Sequence, residues 1–209
     1  MAHRTIACPS EHLEVVKGSR FRAVVAPLAA VEDAAAWVAR LRAAEPEAGH
    51  VAWAWRWGSL QRWSDDGEPG GTAGRPMLEV LLKRDLDRVI AGVARVFGGV
   101  KLGAGGLARA YGGSLARALD GAPVLDVPDR AAFELQAPFA EVDGVLRALA
   151  DPDVDHAAPE FDAAGVVVRG TVLASAAARI EERVTTVTRG RGHWGWSETA
   201  TSPNEDDRA

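Results

Sequence analysis

A chain of 209 residues with 47% hydrophobic side chains can bury one large core or two small ones. A net charge of −5 argues against indiscriminate coating of nucleic acid, and a single cysteine, Cys8, excludes an intrachain disulfide. No apolar run reaches membrane-spanning length and no charged-then-apolar leader stands near Met1, so a reducing, cytoplasmic setting without membrane contact is expected.

Residues 1–16 read as a lead-in with a short strand at Thr5–Ala7. Lys17–Ala26 then reads as a strand stopped by Pro27. Val31–Ala44 is alanine-rich and places Val31, Ala34, Ala35, Val38 and Leu41 on one face, which predicts a helix. Glu32 and Asp33 suit its N-terminal dipole, and Pro46 closes it. His50–Trp57 alternates strictly, with Trp53, Trp55 and Trp57 opposite Ala52, Ala54 and Arg56. Such a strand has one bulky face, expected to be buried as core, though aromatic faces also serve as stacking platforms.

From Ser64 to Gly113 the chain becomes rich in glycine. An acidic turn (Ser64, Asp65, Asp66, Gly67, Glu68, Pro69) precedes a short helix, Met77–Arg84, which Pro76 can open at its first position. Arg88–Phe97 is apolar except at its ends, as a central strand is. Gly98, Gly99, Gly103, Gly105 and Gly106 then form a loop leading into a helix over Leu107–Leu119. Glycine in this density is kept where the backbone needs positive φ or a close approach. Gly121–Arg130 reads as a linker, with Val124–Val127 as a short strand within it.

The second part reads as strand Ala131–Ala137, helix Phe139–Ala150, strands Val154–Phe161 and Gly165–Val172, helix Ala174–Thr188 and strand Gly192–Trp196. This β-α-β-β-α-β order predicts a ferredoxin-like domain and an α+β chain overall. The boundaries expected are 1–121 for the first domain, 122–130 for the linker, 131–197 for the second domain and 198–209 for a polar, disordered tail.

Charge along the chain is uneven. The segment from Arg75 to Arg117 holds eight basic residues against three acidic ones. A helix N-terminus offers unpaired N–H groups to phosphate, so Arg75, Arg95, Gly98, Gly99, Lys101, Gly103, Gly105, Gly106, Arg109 and Tyr111 make a candidate anion- or nucleic-acid-binding set. The loop lacks the Lys-Ser/Thr of a P-loop and the last glycine of a dinucleotide fingerprint. Ser64, Asp65, Asp66 and Glu68 form the other candidate group, either a metal-binding cluster or a turn held by its own carboxylates. Neither nucleophile–base pairing nor histidine spacing points to a catalytic or metal site, and no cofactor is assigned.

Three motifs, Lys17–Phe21, Arg62–Pro76 and Arg95–Tyr111, resemble those of the YigZ/IMPACT family in order and composition. The resemblance covers residues 17–121, and the second part is similar only in pattern. It implies a first domain like domain IV of elongation factor G and a second like its domain V. It also implies a role near translation, with RNA or the ribosome as partner. The chain departs from the family at Val51–Trp55, where members often carry a small residue or cysteine after the histidine. The expected function is non-enzymatic binding of RNA or the ribosome through the basic glycine loop. The alternatives are an enzyme for a small phosphorylated substrate and a protein–protein regulator using Trp53–Trp63.

Overall fold

The computed structural model describes residues 3–197 and divides the chain into two units, His3–Val127 and the segment from Pro128 onward. The tail expected to be disordered lies outside the described residues.

In the first unit, strands β1 (His3–Ile6), β2 (Ser10–Val16) and β3 (Ser19–Pro27) precede helix α1 (Asp33–Ala44). Strands β4 (His50–Trp57) and β5 (Leu60–Ser64), helix α2 (Gly74–Lys83), strand β6 (Val89–Val96), helix α3 (Ala104–Asp120) and strand β7 (Val124–Val127) follow. Strands β2-β3-β6-β4-β5 form an antiparallel sheet with β6 in the centre. Buried on both faces, β6 is the near-continuous apolar run that its sequence shows. Strands β1 and β7 pair separately, so part of the segment read as a linker is a strand of the first unit.

The two faces of β4 meet different helices. Ala52 and Ala54 join the larger core with Met77 and Leu81 of α2 and Tyr111 and Leu115 of α3. Small side chains there let α2 lie close to the sheet. The tryptophans face α1 instead, with Trp55 buried and Trp53 and Trp57 only partly covered. Trp53 is thus less enclosed than its alternation predicts. Trp55→Ala should cost roughly 3–5 kcal/mol and Trp53→Ala clearly less, as urea denaturation of the two variants will check. Equal losses would contradict this packing. Glycine at position 92 of β6 has a specific cause, since a Cβ there would overlap Leu41 and crowd Trp37 of α1.

Strand β2 was hidden in the lead-in because its pattern is inverted. Its inward positions are polar: Ser10 donates to the Ala118 carbonyl at 2.8 Å, and Glu14 accepts from Ser114 at 2.5 Å and from Arg117. Leu13 and Val15 point outward and are exposed. Strand β5 was also unread. Gly58, at φ +56°, turns the chain between β4 and β5 as a hairpin.

The second unit contains β8 (Arg130–Ala137), a 3₁₀ turn at Phe139–Glu141, α4 (Val142–Leu149), β9 (Val154–His156), β10 (Glu160–Phe161), β11 (Val166–Leu173), α5 (Ala177–Thr188) and β12 (His193–Ser197). Strand order is β10-β11-β8-β12, with β9 also pairing β11. The strand read over Val154–Phe161 is therefore two short pieces on one edge, separated by a stretch that ends in Pro159. Phe133, Leu135, Val145, Leu149, Val168, Ile180 and Val184 fill the core between sheet and helices. Both units are mixed α+β structures with antiparallel sheets.

Candidate anion-binding site

The acidic turn between β5 and α2 is held by its own carboxylates. Asp65 accepts from the Gly71 N–H at 2.7 Å and from Ala73 and Gly74 at 2.9 Å, so it closes the turn and caps α2. The helix starts at Gly74 rather than Met77, which leaves Pro76 as its third residue. A Cβ on Gly74 would strike the backbone of Ser64, whose hydroxyl accepts from the Asp66 N–H at 3.2 Å. Asp66 accepts from the Val51 N–H at 2.6 Å and pairs with Arg42 at 2.7 Å. Its carbonyl accepts from His50 Nδ1 at 2.7 Å.

Glu68 turns inward and meets two residues of the anion-binding set. Arg95 Nη1 donates to Glu68 Oε1 at 2.6 Å, and the Tyr111 hydroxyl donates to the same oxygen at 2.8 Å. Side chains of both ion-pair partners are almost fully enclosed, at 7% and 3% exposure. The Arg95 guanidinium lies over the rings of Phe21 and Phe97, and Tyr111 meets Phe21 edge-on. Burial and the Glu68 carboxylate push the Tyr111 phenol well above its ordinary value of 10.0. The neutral hydroxyl's contribution to stability is therefore complete below pH 10 and is lost as pH rises beyond it.

Arg95 and Tyr111, read from the sequence as surface donors, are thus interior residues. The reason is that β6 and α3 each contribute one polar side chain to a shared buried carboxylate. Arg95 Nε remains without a hydrogen-bond partner. Sequence reasoning missed Ser19, which receives Arg95 Nη2 at 3.4 Å and the Gly98 N–H at 3.1 Å. Its only sequence signal is its place inside the Lys17–Phe21 motif. Ser114 of α3 is likewise buried.

The glycines divide into three kinds. A Cβ on Gly98 would overlap the backbone of Gly18 and Ser19, so this glycine permits two chain segments to touch. Gly99 and Gly103 sit at φ +86° and +72°, where side chains are disfavoured. Gly105 and Gly106 belong to the first turn of α3 and have no positive φ, so the loop ends at Gly103 rather than Gly106. A Cβ on Gly105 would meet only open space.

What reaches the surface is a smaller set. Arg75, Gly98, Gly99, Lys101, Gly103, Gly105 and Arg109 are exposed, together with Phe97 at 57% and Val100 at 50%. No side chain caps the N-terminus of α3, and no acidic residue stands in its first turn. Lys101 and Arg109 have no ion-pair partner among the described residues. Arg75 pairs with Glu79, Arg84 with Asp120, and Arg117 with Glu14. Four of the eight basic residues counted along this segment, Arg75, Arg84, Arg95 and Arg117, are therefore paired within the fold. Of the four without an ion-pair partner among the described residues, Lys101 and Arg109 are the two beside the open helix end. Such an arrangement can hold one or two phosphate groups and present an aromatic ring beside them.

The sequence model of the Impact N-terminal domain matches residues 17–119, the region that carries this site. An IMPACT family member from Thermus thermophilus, described by its place in the pol 5′ region, is 50% identical over 137 residues. That match covers 64% of this chain and 75% of the relative. The IMPACT family member YigZ from Escherichia coli K12 is 33% identical over 189 residues, covering 88% and 92% of the two chains. A crystal structure described as a hypothetical protein superposes with a TM-score of 0.72 at 32% identity, over 92% of this chain and 96% of that one.

Proposed function

The chain belongs to the IMPACT family, and from that premise we propose that it is a translation-associated protein that binds RNA, free or within the ribosome, through the start of α3. The observation that carries this reading is the uncapped first turn at Ala104–Gly106, flanked by the unpaired cations Lys101 and Arg109. Backbone N–H groups and the helix dipole attract phosphate there, and the two side chains add charge. Phe97, exposed beside Gly98, offers a face on which a base can stack. An enzymatic reading would need Asp65, Asp66 and Glu68 to face a phosphorylated substrate, but each is already an internal acceptor.

Lys101→Ala and Arg109→Ala should each weaken binding of a single-stranded oligoribonucleotide about equally across sequences, because phosphate contacts carry no base information. Each should also make the salt dependence shallower by roughly 0.7 in log–log slope. Fluorescence titrations at three salt concentrations, with ribosome co-sedimentation at two, provide the check. Unchanged slopes in both variants would overturn the proposal for this face.

Gly105→Ala separates backbone recognition from simple charge. The added methyl meets nothing in the fold, and alanine is favoured over glycine within a helix by roughly 0.5–1 kcal/mol. Thermal stability should rise while RNA affinity falls, since the methyl crowds the N–H groups that phosphate approaches. Unaltered affinity would show that those groups are not the contact.

A further inference from the structure

On the opposite face of the sheet from α2 and α3, a half-open cavity of about 610 Å³ lies between α1 and the β4–β5 hairpin. Its origin is a mismatch in side-chain size. The helix presents Ala34, Ala35 and Val38 to this space, while β4 presents Trp53 and Trp55. Close packing of Trp37 and Leu41 against Gly92 holds the helix over β6, near the centre of the sheet. The small residues of α1 cannot fill the volume that remains above the hairpin.

One cation stands at the rim. Arg62 of β5 lies directly opposite Trp55 in the antiparallel register and therefore on the same face. It is exposed, and its guanidinium has no partner among the described residues. Leu60, 55% exposed, continues the apolar wall on the same strand. The volume falls within the range of small-molecule sites, which combine apolar and aromatic walls with a few oriented polar groups.

We propose that this cavity is a binding site for a small aromatic carboxylate, its ring against Trp53 and Leu60 and its carboxylate on Arg62. The occupant follows from complementarity. The partly exposed Trp53 ring, with Val38 and Leu60 beside it, favours a flat apolar body, and a planar guanidinium matches a carboxylate bidentately. At 610 Å³ the space holds a two-ring ligand with room for water, and its wide mouth leaves the carboxylate near solvent. This site is separate from the start of α3 and does not depend on RNA binding there.

The test titrates the full chain with 2-naphthoate and, in parallel, with neutral 2-naphthalenemethanol, reading tryptophan fluorescence and calorimetric heat. Both compounds should saturate, the carboxylate more tightly. Arg62→Gln should weaken 2-naphthoate about tenfold, as loss of one charge-assisted contact does, and leave the alcohol unchanged. Ala35→Leu fills the space from an exposed helical position and should abolish both while the melting temperature is maintained. Failure of the native chain to saturate with 2-naphthoate at millimolar concentration overturns the proposal. So does undiminished binding in a folded Ala35→Leu variant, or equal weakening of acid and alcohol by Arg62→Gln.

Discussion

Gly98→Ala should destabilise the first unit by roughly 3 kcal/mol, at the upper end of overpacking costs. The new methyl would overlap Gly18 and Ser19, and its neighbours are backbone atoms that have no rotamer to adopt. Gly18, at φ +81°, approaches the Gly98 carbonyl from the other side, so the two segments lock reciprocally. Companion variants set the scale. Gly99→Ala and Gly103→Ala enter open space but at positive φ, and each should cost about 1–2 kcal/mol. Urea denaturation of the three variants should rank Gly98 well above the other two. A Gly98→Ala chain as stable as the native one would show that the hairpin turn before β3 yields freely.

Glu68→Gln should cost about 3–5 kcal/mol, because it leaves the buried Arg95 charge without a counter-charge. The amide oxygen can still accept both hydrogen bonds that Oε1 takes from Arg95 and Tyr111, but it carries no counter-charge. The paired variant Glu68→Met with Arg95→Met should lose less than the sum of the single losses, since an apolar pair removes both charges together. A double-mutant cycle by chemical denaturation measures this directly, and additive losses would mean that the pair is not coupled. Tyr111→Phe gives an independent reading through pH. In the native chain stability should fall as pH rises past 10, where ionising the buried phenol becomes part of unfolding, and Tyr111→Phe should flatten that alkaline limb.

Several elements were legible in the residues alone. His50–Trp57 alternates without interruption and is a strand over those residues, and the apolar run after Arg88 is the central strand β6. The order of elements after Ala131 anticipates the α+β second unit, because short strands and helices with their own periodicity need no distant information. Family membership was legible too, through glycines and carboxylates spaced along residues 17–119. Strand β2 was not, since its inward positions carry Ser10, His12 and Glu14, and only the position of α3 makes those polar residues interior.

Local patterning thus determined which segments fold and where the motifs lie, because periodicity, turn chemistry and glycine content are properties of neighbouring residues. Tertiary structure alone decided which charges remain free. Arg95 and Lys101 are close in sequence and equally basic on paper. One meets Glu68 and Tyr111 across the core, and the other stands in solvent beside an open helix end. The same holds for the tryptophans of β4, which only the small residues of α1 turn from a packed face into the wall of a cavity. Ion pairing and voids depend on atoms brought together from distant parts of the chain, and no local pattern encodes their distances.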